Sequence, residues 1–463
     1  MFFMRDEPLD NIVHYIRSNE KRFIKELASL VRQPSNSKTG EGIEECASVL
    51  KDLMEKSGVK ARVMPTDGSP VVYGELKGSK KKVTLLIYGH YDVKPPDPLN
   101  EWTSPPYDPD IRNGRIYGRG TADDKGQLYA HVKAVESILA VKGKLPVNVK
   151  FLFEGEEEIA SPNLKAFVSN NRELLESDLM LSADGTMPFS GSPAINFGVR
   201  GILKFEISSQ GASRDLHSGG YGGLAPNPVW SLIHLLKTMK GEDGRVLIEG
   251  FYDDILPPTP SEKAAMDRIG FDKKAFCQEL GLEDLEKSPG DQPLERLMFW
   301  PTFNIQSFFA GTLEAEGSTI IPARARVNID MRLVPNQRPE QVLDKVKNHL
   351  KKMGHLGVFN IVVKTQVPPF RSCLDHPFTS AVIDAVKQGF GEDPLLVPSM
   401  GGTDPTHIFG TTLGLPCFKI PYAQANDSNL HAPDENLALD IYSKAIKTTA
   451  ALLLSLVKTA NAH

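Results

Sequence analysis

The chain has 463 residues, 40% hydrophobic and 24% charged, with a net charge of -5. That length exceeds what one hydrophobic core usually serves, so two domains are expected, and the composition excludes a disordered or collagen-like chain. With no basic excess nucleic acid is not an expected partner, no apolar run reaches the length of a membrane span, and residues 1–8 turn acidic before a signal-type apolar stretch can form, so a cytoplasmic protein is expected.

In chain order, residues 11–32 and 41–57 carry apolar side chains at helical spacing, and 60–64 and 71–76 read as short strands. They lead into Val83-Thr-Leu-Leu-Ile-Tyr-Gly-His90-Tyr-Asp92-Val93, an apolar run that stops at Gly89 and delivers a histidine and an aspartate two residues apart. In an open α/β sheet the carboxyl ends of the strands are where loops gather distant side chains around a ligand. The spacing of His90 and Asp92 suits a neutral imidazole on a metal, its ring fixed by a nearby carboxylate.

A proline-rich loop over 94–110 is followed by Gly-Arg-Gly-Thr-Ala-Asp123-Asp124-Lys-Gly, which opens a helical pattern over 127–141. The strand 147–153 ends in Glu154-Gly-Glu156-Glu157-Glu158. Acidic runs are usually solvated surface, but this one follows directly on a buried-looking strand. A further strand over 179–181 ends at Asp184, and 417–420 leads through a polar loop to His431. Each of the five segments is ambiguous alone; together they have the composition of a two-metal site, with nitrogen and carboxylate ligands and no thiolate. Cys46, Cys277, Cys373 and Cys417 are scattered without C-x-x-C spacing and read as free, mostly buried thiols.

Between these halves the pattern changes. Strands at 203–208, 303–309, 323–333 and 359–365, with helices at 228–239 and 339–353, give the order βαββαβ of a ferredoxin-like unit inserted into the α/β domain. The stretch 241–301 is an extra, partly helical excursion with no assigned role. The helices expected at 379–388 and 439–458 return to the first domain.

The motifs Gly-His90-Tyr-Asp92-Val, Gly-Arg-Gly-Thr-Ala-Asp123-Asp124-Lys-Gly, Glu-Gly-Glu-Glu157-Glu158, Ser-Ala-Asp184, Asp-Leu-His217-Ser-Gly-Gly, Met-Arg332-Leu-Val-Pro and Leu-His431 occur in one order along the whole chain. In that order the chain resembles the M20 metallopeptidases, nearest their cytosolic carnosinase-like dipeptidases. The resemblance implies a zinc-exopeptidase-type three-layer α/β catalytic domain (1–197 and 371–463) and an inserted ferredoxin-like α+β lid and dimerisation domain (198–370). It implies two divalent ions per subunit, zinc before manganese or cobalt. His90, Asp123 and Asp184 would hold one, and Asp123, Glu158 and His431 the other, with Asp123 bridging through a loop whose Asp123–Asp124 peptide is cis.

By the same resemblance Asp92 orients His90, Glu157 is the general base, and His217, Thr319, Arg332, Gly402 and Thr403 meet the substrate. His217 is lent to the partner subunit of a homodimer. The family pattern often reads Glu-Gly-Met-Glu-Glu, whereas this chain carries Glu156 at the third place. His131, His234 and His407 match no motif and are read as structural. The expected activity is cleavage of dipeptides or short peptides beside a free carboxylate. The rival readings are an amidohydrolase deacylating N-acyl or N-succinyl amino acids and, outside enzymes, an inactive binding or scaffold homologue.

Overall fold

The structure is a computed structural model and describes residues 7–78, 83–311, 319–354 and 358–459; the basic run 80–82 and residues 1–6 lie outside them. The chain forms two compact units, one of residues 1–198, 372–397 and 404–463 and the other of 199–371 and 398–403. The turn 398–403, with Gly402 and Thr403, thus belongs to the second unit rather than to the first, where the sequence reading placed it. Six residues are too short a segment to carry a domain signal of their own.

The first unit is built on an eight-stranded sheet. Its spatial order is Lys60–Met64, Val71–Leu76, Asn148–Glu154, Thr84–His90, Leu179–Ser182, Cys417–Lys419, Ala194–Asn196 and Leu395–Val397. Asn148–Glu154, Thr84–His90, Leu179–Ser182 and Cys417–Lys419 run parallel, so their carboxyl ends lie side by side. Thr84–His90 is buried from Leu85 onward, as expected of a central parallel strand covered on both faces. The helix Lys125–Lys142 packs on it, and Glu7–Arg32 and Leu439–Thr459 pack on that helix. Most of Lys125–Lys142 is buried, which explains its weak amphipathic pattern. Ile43–Lys56 covers the antiparallel strands Lys60–Met64 and Val71–Leu76.

The second unit is a four-stranded antiparallel sheet in the order Asn304–Ala310, Arg324–Leu333, Gly201–Gln210 and Phe359–Val367. Pro228–Met239 and Pro339–Lys352 pack against it around Leu203, Phe205, Leu232, Val327, Ile329 and Val346. This is the βαββαβ order read from the periodicities. The 241–301 excursion holds three short helices, Pro260–Ile269, Lys273–Leu280 and Pro293–Phe299. The first carries a full capping box between Thr259 and Glu262.

All four cysteines are free, with Cys46, Cys277 and Cys417 buried and Cys373 exposed. Among the described residues no helix is long and apolar enough to cross a membrane.

Candidate metal centre

Side chains from three parallel strand ends and from two loops converge in the first unit. His90 Nε2 lies 3.0 Å from Asp123 Oδ1 and 4.0 Å from Asp184 Oδ1, and His431 Nε2 lies 2.9 Å from Asp123 Oδ2 and 3.2 Å from Glu158 Oε1. Two groups of potential ligands result, His90/Asp123/Asp184 and Asp123/Glu158/His431, sharing Asp123.

The placing of Asp123, His90 and His431 has local causes. The Asp123–Asp124 peptide is cis, as the resemblance implies. The turn packs tightly there: a Cβ on Gly126 would stand 2.0 Å from the Thr121 carbonyl, so only glycine fits. Asp124 Oδ2 accepts the His90 amide at 3.1 Å, tying the turn to the end of Thr84–His90. His431 has φ of 61°, a left-handed backbone rare outside glycine, set in a loop where Asn429 and Asp434 do the same.

Asp92 works on two neighbours. Its carbonyl and Oδ1 lie 3.1 and 3.4 Å from His90 Nδ1, and its two carboxylate oxygens accept the amides of Glu157 (3.2 Å) and Glu158 (3.0 Å). One buried aspartate therefore fixes the imidazole and the placing of the two glutamates. Glu156 is turned away: its carboxylate accepts from Ser69 N at 2.8 Å and from the Asn163 side chain. Of the three successive glutamates, only Glu157 and Glu158 remain for the centre.

The electrostatics match a site built for positive charge. Burial holds Glu157 well above the usual carboxylate range, helped by Asp184, Glu158 and Asp123 and opposed by His90. Burial would also raise Asp123, but hydrogen bonds from His431 and His90 outweigh it and pull this carboxyl below the ordinary range. Hydrogen bonds to Asp123 and Glu158 raise His431 to about 10. His90 Nε2 and Glu158 Oε1 are buried without an aligned hydrogen bond, although charged groups stand within 3.0 to 3.2 Å of them. Orphaned lone pairs of this kind, on nitrogen and oxygen alone, fit divalent ions such as zinc.

In the second unit four of the five remaining sequence-predicted residues fall into two pairs, and Gly402 stands beside the second. His217, exposed, has Nε2 3.2 Å from Thr319 Oγ1 and accepts the Gly219 amide on Nδ1 at 3.1 Å. Arg332 Nη1 donates to Thr403 Oγ1 at 3.0 Å, and Thr403 Oγ1 donates to the Arg200 carbonyl at 2.7 Å. Gly402 accepts the Arg200 amide at 3.0 Å and leaves open space where a side chain would stand.

Three supporting residues escaped the sequence reading. Glu435 Oε1 accepts the amides of Gly120, Ala122 and Asp123 at 2.9–3.0 Å, while Oε2 takes Arg119 Nη1 at 2.7 Å. Lys94 and Lys419 pair with Glu158 and Asp184. Only Glu435 left a sequence signal, lying four residues beyond His431 in the same polar loop. His131 and His407 are buried, His131 bonding Thr449 Oγ1 at 2.8 Å and His407 Nδ1 lying 3.2 Å from the Asp404 carbonyl, consistent with structural roles.

A sheet with candidate metal ligands gathered beside its parallel strand ends, in a chain that also carries a ferredoxin-like unit, is the arrangement of a metallohydrolase. Residues 86–455 match Peptidase family M20/M25/M40, and the chain belongs to that family of metallopeptidases. The M20 family metallo-carboxypeptidase Sso-CP2 from Sulfolobus solfataricus superimposes with a TM-score of 0.84 at 38% identity, over 94% of this chain and 99% of that one. Beta-Ala-His dipeptidase of Mus musculus is 28% identical, covering 98% of this chain and 97% of its own. Cys-Gly metallodipeptidase dug1 of Schizosaccharomyces pombe is also 28% identical, over 95% and 96%.

Proposed function

We propose that this chain is a two-metal exopeptidase that cleaves dipeptides, or the last residue of short peptides, beside a free C-terminal carboxylate. The observation that carries the reading is the pair of ligand groups joined through Asp123. His90, Asp123 and Asp184 would hold one divalent ion and Asp123, Glu158 and His431 the other; imidazole and carboxylate donors accommodate zinc, with manganese or cobalt as alternatives. When bound, the ions supply an acidified water and a polarised scissile carbonyl.

The chain's own residues do the rest. Glu157, held basic chiefly by burial and further by Asp184, Glu158 and Asp123, takes the proton of the attacking water and passes it to the leaving amine. Asp92 keeps His90 in the tautomer that presents Nε2. His217, with Thr319 beside it, donates to the oxygen on which negative charge develops. Arg332 and Thr403 receive the substrate's carboxylate, a planar fork against a planar group, with Gly402 leaving room. The protein acts as a cytoplasmic homodimer in which His217 serves the partner's site.

The named substrates of the relatives support a dipeptide, and the archaeal carboxypeptidase supports the carboxylate anchor. Product analysis on a panel of dipeptides, tripeptides and N-acetyl or N-succinyl amino acids tests the reading. Dipeptides and C-terminal trimming should dominate. Exclusive turnover of the acylated amino acids would replace the peptidase with a deacylase.

A further inference from the structure

The two outer carboxylates of the centre are each divided between two tasks. Glu158 presents Oε1 to the ligand group, 3.2 Å from His431 Nε2, and gives Oε2 to Lys94 Nζ at 2.9 Å. Asp184 presents Oδ1 on the His90 side and gives Oδ2 to Lys419 Nζ at 2.8 Å. Asp123 differs: its two oxygens face His90 and His431, and among the described residues no lysine pairs with it. A carboxylate can ligate with one oxygen or with both. An ammonium on the far oxygen blocks the second mode, fixes the carboxylate plane and draws charge from the near oxygen.

We propose that Lys94 and Lys419 are positioning residues that confine Glu158 and Asp184 to one-oxygen ligation, leaving each ion an open position for substrate. The inference rests on the two-metal reading above.

The two lysines are otherwise unlike, which is why a shared role stands out. Lys419 is buried, its side chain 6% exposed, and pairs with a second carboxylate, Asp404, at 2.8 Å, so charge neutralisation alone could account for it. Lys94 has a side chain 34% exposed and could remain in water. It nevertheless reaches both the Glu158 carboxylate and the Glu158 carbonyl, the latter at 2.6 Å. One from a loop and the other from the end of the strand Cys417–Lys419, at different depths, the two ammonium groups each take the far oxygen of a ligand candidate. An ion with three protein ligands and an open position is the arrangement of catalytic rather than structural zinc.

The test uses Co(II) as the probe, because its visible absorption weakens as the ion gains donors. The metal-stripped full-length protein, Lys94→Met, Lys94→Arg and the double variant Lys419→Met/Asp404→Asn are loaded with Co(II). Bound cobalt is counted by elemental analysis and the spectrum recorded. The double variant removes the carboxylate that Lys419→Met alone would leave buried and unpaired, and the Lys94 variants, altered near the surface, keep the test valid if the double variant does not fold. Two ions per chain throughout, with weaker visible absorption in Lys94→Met and in the double variant and recovery in Lys94→Arg, is the expected result. A spectrum unchanged by Lys94→Met, or loss of an ion from that variant, overturns the confinement while leaving the metal centre standing. A wild-type chain that binds no Co(II) overturns the two-metal reading itself, and the lysine roles with it.

Discussion

At the residue scale the sharpest division of labour falls between two adjacent glutamates. Glu158 directs Oε1 at His431 and belongs to a ligand group, whereas Glu157, one residue earlier, belongs to neither. Replacing Glu157 by alanine should abolish turnover with both metals retained, and replacing Glu158 should lose metal together with activity. Elemental analysis of the two variants checks this; metal loss on the Glu157 side would mean that the roles are exchanged. His431 gives a pH dependence with a definite sign. Without metal, Asp123 and Glu158 stabilise its protonated form and raise it to about 10, so a metal must displace that proton to reach the imidazole. Apparent metal affinity should therefore rise as pH rises toward 10 and fall as pH is lowered, with protons released on binding. Calorimetry in buffers of different ionisation enthalpy measures both.

At the scale of elements the centre belongs to loops, and the sheet sets where those loops start. Three of the four side-by-side parallel strands run straight into site residues: Thr84–His90 ends on His90, Asn148–Glu154 leads to Glu157 and Glu158, and Leu179–Ser182 to Asp184. The Asp123 turn instead follows Arg115–Tyr117, in a small separate three-stranded sheet with Asn436–Ala438 and Asp110–Arg112. That pairing ties the turn to the strand that follows the His431 loop, and Glu435, at the end of that loop, reinforces the tie through three amides and Arg119. Glu435→Ala would leave the guanidinium of Arg119, with 1% of its side chain exposed, buried and unpaired, at a cost of about 3–5 kcal/mol. Glu435→Gln, which keeps an acceptor for the amides, should cost less. Denaturant midpoints should follow that order, and added metal should recover part of the loss by binding only the folded state.

For the whole molecule the question is whether one chain suffices. His217 lies in the second unit and every metal-ligating candidate in the first. If His217 serves the partner's site, His217→Ala and Glu157→Ala are each inactive as pure dimers, and a mixed dimer regains one intact site. Random reassortment makes about half the dimers mixed, so activity should return to roughly a quarter of wild type. Dissociating the two inactive variants together, reassociating them and assaying a dipeptide measures this. No recovery despite proven mixed dimers would place His217 within its own chain's chemistry or outside it.

The order of elements was legible in the sequence, and the ligand candidates followed from the resemblance its motifs carry. Apolar runs of period two and helical stripes mark strands and helices locally, and His90, Asp184 and the run of glutamates from Glu156 to Glu158 stand out because a buried run stops beside side chains that can bind metal. What the sequence left open was partnership. Which of Glu156, Glu157 and Glu158 faces the centre depends on Ser69 and Asn163 capturing Glu156 and on Asp92 holding the next two amides. That Lys419 meets Asp184 and Glu435 meets the Asp123 turn are contacts across more than two hundred residues of chain, and Lys94 meets Glu158 across sixty-four. Short-range patterns carry no information about such pairings. They exist only once parallel strands from both ends of the chain lie edge to edge, and burial then makes each unpaired charge costly enough to fix its partner.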